Sequence, residues 1–507
     1  MPTDSTTRPW LRAGTAGLMA VLSGLAAGHL VAGLIAPDAS PALAVGSRLI
    51  DLTPTPVKEW AVATLGTWDK PVLIGGVVAI TLALGAAVGI LARRFGWIGW
   101  AGPTVLTVVA AVAAIGSPSA GQFAAVPAFV TGAVGILVLR WLLRAAGRPA
   151  EETGAVHALP RRAFLTGTAV TGAGSVIALL GGQFLSTGRR VPTSVTLPPP
   201  VQPLAPLPSG LEVPEIAPWV TPNADFYRVD ISLIVPGVDV DGWKLSIDGM
   251  VDRPFSIGWD ELLTMPMIEK DITLNCVSNE VGGPYIGGAR WLGVRVKDLL
   301  ARAGVQPGAD QVLSRSVDGF TVSTPVQALT DDRDALIAIG MNGKPLPAEH
   351  GFPARMITPG LYGYVGATKW VTQLTLTTYA RDQAYWTQRG WAERGPVKPS
   401  SRIDTPRSFA RPKAGQVMIA GEAWAQRIGV TKVQVRVDGG PWQDAETGPD
   451  AGIDYWRQWK YTWKATSGQH TLESRVIDNT RTSQTEVRAA PFPDGSSGLH
   501  SVVVTVD

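Results

Sequence analysis

Cys276 is the one cysteine among 507 residues, set in Thr273-Leu274-Asn275-Cys276-Val277-Ser278-Asn279. A single cysteine excludes an intrachain disulfide, a CxxC redox pair, a cysteine-rich zinc site and a cysteine-ligated iron–sulfur cluster. Three roles remain for it: an inert packed thiol, a nucleophile, or a lone thiolate ligand to a soft metal.

A centre built on Cys276 has to be placed by the elements around it. Asp271 to Asn275 reads as a strand that delivers the cysteine to its end, where loops can build a site. Trp243 to Gly249 alternates like a strand and stops at a glycine turn. Ser256 is placed to cap a short helix through Trp259 to Leu263, Gly293 to Ala303 reads as a second helix, and Asn342-Gly343 as a hairpin turn. These make a mixed α+β domain over residues 219–395. From 396 to 507 the pattern is that of a β-sandwich of immunoglobulin type. Val417–Trp424, Thr431–Asp438, Trp456–Lys464, Thr471–Asp478 and Ser501–Asp507 alternate, and Asp438-Gly439-Gly440 marks a tight turn. Trp424 and Trp442 read as core residues of that sandwich, and Trp456, Trp459 and Trp463 as packing residues.

The first 187 residues are of another kind. Five apolar stretches, near 13–36, 71–92, 98–116, 122–143 and 163–186, approach the roughly 20 residues a bilayer-crossing helix needs. Basic residues cluster on alternate sides of them. Arg8 and Arg12 precede the first stretch, Arg93 and Arg94 follow the second, and Arg140, Arg144, Arg148, Arg161 and Arg162 lie between the fourth and fifth. The loop 37–70 balances Arg48, Lys58 and Lys70 against four acidic residues, and the turn 117–121 has no basic residue. Positive charge on the inner side puts the N-terminus in the cytoplasm and everything after the fifth span outside the plasma membrane. Arg161-Arg162-Ala163-Phe164-Leu165 before an apolar run is similar to a twin-arginine export signal, a route for proteins folded with their cofactor already in place. Residues 188–218, rich in proline, read as a stiff extended linker. A net charge of +3 with no basic patch interleaved with aromatics gives no sign of nucleic acid binding.

Taken in order, several short motifs resemble the sulfite oxidase family of molybdopterin enzymes over residues 219–507. Thr273-Leu274-x-Cys276-x-x-Asn279 is similar to the family's molybdenum-ligating segment, and Phe226-Tyr227-Arg228 to the start of its first cofactor segment. His350-Gly351-Phe352-Pro353-x-Arg355, Pro359-Gly360 and Lys369-Trp370 resemble the second. Gly421-x-Ala423-Trp424 with Val435-x-Val437-Asp438-Gly439-Gly440-x-Trp442 resembles the C-terminal dimerisation domain. The resemblance implies a molybdenum held by one pterin dithiolene and the Cys276 thiolate. It also implies that Phe226, Tyr227, Arg228, Asn279, Asp318, His350, Arg355, Thr368 and Lys369 line or contact the cofactor, with no haem, iron–sulfur cluster or zinc. Soft sulfur ligands suit such a metal, and Arg228, His350, Arg355 and Lys369 form a cation set suited to the pterin phosphate. One extra residue lies between Arg355 and Lys369 relative to the family pattern, which loosens the assignment of Thr368.

The departures concern substrate. Where sulfite-oxidising members carry an arginine pair after the cysteine loop, this chain has Glu280 and Val281, and an Asn-His pair of the first segment is Val229-Asp230. Lost positive charge and added carboxylates disfavour a doubly charged anion, so a neutral oxygen-atom donor or acceptor such as a sulfoxide is at least as reasonable. The expected reaction is two-electron oxygen-atom transfer, with Tyr285 or Glu280 as candidates for proton movement. Only His29 among the five histidines lies in a span, so the membrane part reads as a lipid-embedded anchor, with a quinone or a separate redox protein exchanging electrons. A homodimer through the sandwich is implied by resemblance. A catalytically inactive cofactor-binding scaffold and a membrane-tethered immunoglobulin-like binding protein are the alternatives.

Overall fold

The computed structural model describes residues 9–65, 68–117, 121–147, 159–188 and 195–507. The chain divides into two compact units, Met1–Arg190 with Ser232–Val235, and Val191–Ile231 with Pro236–Asp507. Arg8, Arg148, His157 and positions 189–194 of the expected linker lie outside the described residues.

The first unit is helical: α1 (Pro9–Ile35), α2 (Pro41–Leu52), α3 (Thr55–Leu65), α4 (Asp69–Arg94), α5 (Ile98–Ile115), α6 (Val126–Gly147) and α7 (Leu159–Gly188). Five of them, α1, α4, α5, α6 and α7, are long and apolar enough to cross a membrane. They coincide with the five expected spans, whereas α2 and α3, in the connection after α1, are helices that the composition did not signal. Small residues let the long helices touch: a Cβ on Gly17 of α1 would lie 2.0 Å from the Gly85 carbonyl oxygen of α4. Arg161 and Arg162 fall inside the start of α7.

The second unit begins with ten strands: β1 (Lys244–Gly249), β2 (Phe255–Gly258), β3 (Met267–Asn275), β4 (Ile286–Arg295), β5 (Gln311–Ser316), β6 (Thr321–Pro325), β7 (Leu336–Met341), β8 (Lys344–Pro345), β9 (Arg355–Ile357) and β10 (Val371–Thr377). They form one sheet ordered β2-β1-β10-β5-β6 and another ordered β3-β4-β7-β8, with β9 also paired to β7. Ile272, Leu274, Ala289, Trp291, Leu336, Ala338 and Phe352 pack in the core against the second sheet. Eight further strands follow: β11 (Ser400–Thr405), β12 (Gly415–Trp424), β13 (Val430–Val437), β14 (Gln443–Asp444), β15 (Glu446–Thr447), β16 (Arg457–Ala465), β17 (Gly468–Asp478) and β18 (His500–Val506). Two four-stranded sheets, β11-β12-β16-β15 and β14-β13-β17-β18, enclose Val433, Val435, Trp459, Leu472, Val476 and Val504. This is the expected sandwich.

Several expectations need correction. Gly293–Arg295 completes β4, and the helix starts only at Val296. Ser256 does not cap the helix at Trp259; it lies in β2, where its hydroxyl bonds Ser246 of β1 at 2.8 Å. Trp442 is no core residue but a surface indole gripped by the Arg436 and Arg475 guanidiniums, 4.5 and 4.2 Å from its ring. Trp424 and Trp456 are buried, yet with Trp219, Val277, Ile286 and Tyr362, at the seam between the two β-modules. The proline-rich stretch is not a free spacer over its described part. Val201 N–H donates to Met267 O (2.8 Å), Leu211 N–H to the Gln458 amide (2.7 Å) and Ala217 N–H to Asp404 (2.9 Å). Proline fixes the extended path there, and the remaining amides find partners on the unit beside it.

The Asn342-Gly343 turn between β7 and β8 is as expected, with both residues at positive φ (53° and 72°). Asn342 does more than turn the chain. Its amide donates to Thr221 O (2.9 Å) and Asn223 Oδ1 (2.8 Å), and its carbonyl accepts from Arg290 N–H (3.0 Å). That ties the 221–223 segment to the second sheet. Asn342→Gly keeps the turn and deletes all three bonds, so it is expected to lower stability by about 2–3 kcal/mol, read as a lower unfolding midpoint of tryptophan fluorescence.

Candidate active site

β3 and β4 pair from Met267↔Val294 to Asn275↔Ile286, so Cys276 opens the loop that joins them. Within that loop Cys276 N–H donates to Tyr285 O (3.0 Å), Asn279 N–H to Cys276 O (3.1 Å), and Tyr285 N–H to the Asn279 side-chain oxygen (2.8 Å). Asn279 is therefore a loop-shaping residue. The Cys276 sulfur lies 2.9 Å from the Ser278 hydroxyl. Burial pushes its thiol pKa up, an effect opposed by the Ser278 bonds and by the charge of Lys369.

A second set of residues comes from the crossing between the sheets. Arg355 starts β9, and Lys369 precedes β10. Arg355 is 4 % exposed. Its guanidinium donates to His350 O (3.0 Å) and Ala367 O (3.5 Å) and lies 5.2 Å from the Trp291 ring. Its Nε has no partner, and among the described residues no carboxylate pairs with it. Burial lowers its pKa to about 10. His350 donates through Nε2 to Asn223 O (2.9 Å) and has its pKa lowered to about 4 by burial and then by Arg355, so it is neutral at pH 7. Gly351, at φ +113°, lets this loop fold against Lys369: a Cβ would lie 3.0 Å from that of Arg355 and 3.2 Å from the Lys369 Cα.

Lys369 donates to Asp230 Oδ2 (2.6 Å) and Glu349 O (3.1 Å), and Arg228 reaches the same Asp230 at 2.8 Å. Burial lowers the Lys369 pKa to about 8. Burial pushes the Asp318 carboxyl up, with Asp230 adding to the rise; its Oδ1 accepts from Phe320 N–H (3.1 Å) in a turn. Phe226 stacks on Tyr227 with centroids 5.3 Å apart and meets His350 edge-on at 5.6 Å. Burial raises the Tyr227 hydroxyl pKa, and the Cys276 charge adds to it.

The structure thus brings Phe226, Tyr227, Arg228, Cys276, Asp318, His350, Arg355 and Lys369 into one electrostatic neighbourhood. Thr368 is fully buried and spends its hydroxyl on Ser314 (2.5 Å). Asp230 is the residue whose role in the cluster the motifs did not assign; its one signal was a carboxylate where the family pattern has histidine. Among the described residues no three His, Cys, Asp or Glu side chains converge as a metal cage. A metal at Cys276 would therefore draw its other ligands from outside the chain. A buried guanidinium with an unpartnered donor and no carboxylate fits an anion such as a phosphate.

Comparison with known proteins agrees. The oxidoreductase molybdopterin-binding domain family matches residues 232–386, and the bacterial Ig domain family residues 399–473. The oxidoreductase YuiH of Bacillus subtilis is 31% identical over 157 residues, 31% of this chain and 76% of its own. Human mitochondrial sulfite oxidase is 28% identical over 302 residues, 50% of this chain and 55% of its own. The chain belongs to the sulfite oxidase family of molybdopterin oxidoreductases. It spans about half the length of the sulfite oxidases it matches. In fold it is similar to the sulfane dehydrogenase SoxCD of Paracoccus pantotrophus, with TM-score 0.50 and 23% identity over 57% of this chain and 83% of that one.

The family's phosphate-bearing cofactor gives the cations a task that an inert dianion can probe. The Lys369 pKa lies below its ordinary value, so its charge is present below about pH 8 and lost above it. Sulfate is expected to raise the melting temperature of cofactor-free chain below pH 8 and to lose much of that effect as pH rises through 8. Lys369→Met should flatten the pH dependence, a comparison that removes sulfate's general stabilising action.

Proposed function

We propose that the chain is a membrane-anchored oxidoreductase that transfers an oxygen atom to or from a small uncharged substrate, with Cys276 as the single protein ligand of a molybdopterin-held molybdenum. When bound, that group supplies the two-electron redox chemistry. Arg355 anchors its phosphate, with Lys369 adding charge, while His350, neutral and fixed on Asn223 O, presents Nδ1 as an acceptor. Phe226 and Tyr227 wall the site. Glu280, exposed on the cysteine loop, and Tyr285 are the candidate proton carriers.

The observation that carries the substrate class is Asp230. Of the two positive charges that Lys369 and Arg228 would offer a dianionic substrate, one is cancelled by this carboxylate, which they share at 2.6 and 2.8 Å. Purified protein is expected to contain about one molybdenum per chain and to turn over sulfoxides with an artificial electron donor in preference to sulfite. Cys276→Ser should lose turnover while staying folded, and Asp230→Asn should lower the KM for sulfite. Sulfite preferred by the unaltered chain would overturn the substrate reading, and unchanged turnover in Cys276→Ser the ligand assignment.

For the first unit we infer a plasma-membrane anchor with a cytoplasmic N-terminus and the catalytic unit outside, electrons passing to or from a quinone or a separate redox protein. Support comes from the five apolar helices and the distribution of arginine. Replacing Arg161 and Arg162 together by lysine is expected to leave the catalytic unit inside, protected from protease added to intact cells. Unchanged protease access would remove the twin-arginine assignment.

A further inference from the structure

We propose that the C-terminal sandwich module is a working part of the catalytic site: Arg402, with Ser496 and His500, holds the Cys276 loop in its shape, so that Arg402 is a positioning residue for the cysteine.

The loop from Cys276 to Tyr285 has no regular structure and contains Gly282 at φ +82° beside Gly283. Left to itself, such a segment would sample many conformations, at an entropic cost of about 1–2 kcal/mol for each residue fixed. Its inward bonds close it on itself. Its outward groups are met by the other module. Ser496 donates to Asn279 O (2.7 Å), and Arg402 Nη1 to Gly283 O (3.0 Å). The His500 ring lies against Gly282, where a Cβ would come within 2.2 Å of it, and its Nδ1 accepts from Ile403 N–H (2.9 Å), next to Arg402. Gly282 is therefore glycine for two reasons, its backbone angle and the imidazole in the space a side chain would need.

Arg402 is built for this bond. It is 8 % exposed and its charge is met within its own module, by Asp404 Oδ1 at 2.6 Å and Glu422 Oε2 at 3.0 Å. The bond to Gly283 O adds little to that compensation. What it adds is direction, because the planar guanidinium, fixed on Asp404 and Glu422, points one Nη1–H at the Gly283 carbonyl. β3, the strand that leads into the loop, is held by the same module. Thr273 N–H donates to Asp454 O (2.9 Å), Trp456 N–H to the Thr273 hydroxyl (2.8 Å), and the Gln426 amide to Thr273 O. That edge of the sheet is thereby covered, and Cys276 leaves it from a fixed point.

Because Cys276 is the one cysteine, a thiol reagent reads the loop directly and without any assumption about metal. In full-length, cofactor-free chain, Arg402→Lys and Ser496→Ala are each expected to speed alkylation of Cys276 by iodoacetamide about fivefold, the factor for one lost hydrogen bond. Arg475→Lys, whose guanidinium bonds Gln434 and lies on the Trp442 ring and makes no bond to the loop, should leave the rate unchanged. In cofactor-loaded chain, Arg402→Lys should alter the Mo(V) electron paramagnetic resonance spectrum at unchanged molybdenum content. Alkylation within twofold of the unaltered chain in Ser496→Ala and in folded Arg402→Lys would overturn the proposal. So would an equal acceleration in Arg475→Lys, which would mean general loosening. Failure of the oxygen-transfer reading would leave these rates as expected, so the two stand or fall separately.

Discussion

A guanidinium buried without a carboxylate organises this site. Removing an arginine from water costs several kcal/mol even after relaxation. Here the partial return comes from two carbonyl oxygens, His350 O and Ala367 O, and from the face of Trp291. Those acceptors belong to the segment that joins β8 to β9 and to the crossing from β9 to β10 in the other sheet. Each of them has to fold around Arg355 for the charge to be tolerated at all. Gly351 makes the tight turn possible, His350 is fixed by Asn223 O, and Asn223 is itself held by Asn342 at the β7–β8 turn. The chain from a hairpin turn to a buried cation is continuous, and the cation's Nε–H is left without an acceptor.

The elements that carry this arrangement were legible to different degrees. Strands with one wet face, such as β13 and β17, show in the alternation of their residues, and the Asn342-Gly343 and Asp438-Gly439 turns show in residue types that accept positive φ. β4 was half-mistaken for a helix because it is buried on both faces, and an apolar run without alternation does not declare its period. The proline-rich segment misled in another way. Proline content fixes an extended path but does not say whether the path is solvated, and its partners, Met267, Gln458 and Asp404, are up to about 250 residues away. Trp442 reads as a core residue, but the guanidiniums of two arginines cover its indole instead.

Among the candidate site residues, Cys276, His350, Arg355 and Lys369 lie within each other's electrostatic reach, whereas Asn279 bonds within the cysteine loop and Thr368 bonds Ser314. The bonds that unite the two β-modules could not be read locally. Ser496 to Asn279 spans 217 positions and Arg402 to Gly283 spans 119. A serine or an arginine in a sandwich strand carries no mark of which distant carbonyl it will meet.

Charge at the site sets a limit on what can enter beside the cofactor. Arg228, Lys369 and Arg355 bring three positive charges and Asp230 one negative, while His350, with its pKa near 4, brings none at pH 7. Glu349, whose charge also acts on His350, brings the balance to one positive charge, less than the roughly −1.5 to −2 of one phosphate monoester at pH 7. An ionised Asp318 would lower the balance further, and the burial that pushes its carboxyl up works against that ionisation. With a phosphate seated, nothing of the positive balance is left to offset the desolvation of a second dianion. Glu280 on the cysteine loop adds repulsion where the family pattern has arginine. On the proposed reading, a substrate without net charge faces neither cost, beside the aromatic cluster of Phe226, Tyr227 and Tyr285. The same carboxylate that offsets the burial of the lysine in the fold is thus, on the proposed reading, the one that disfavours a dianionic substrate.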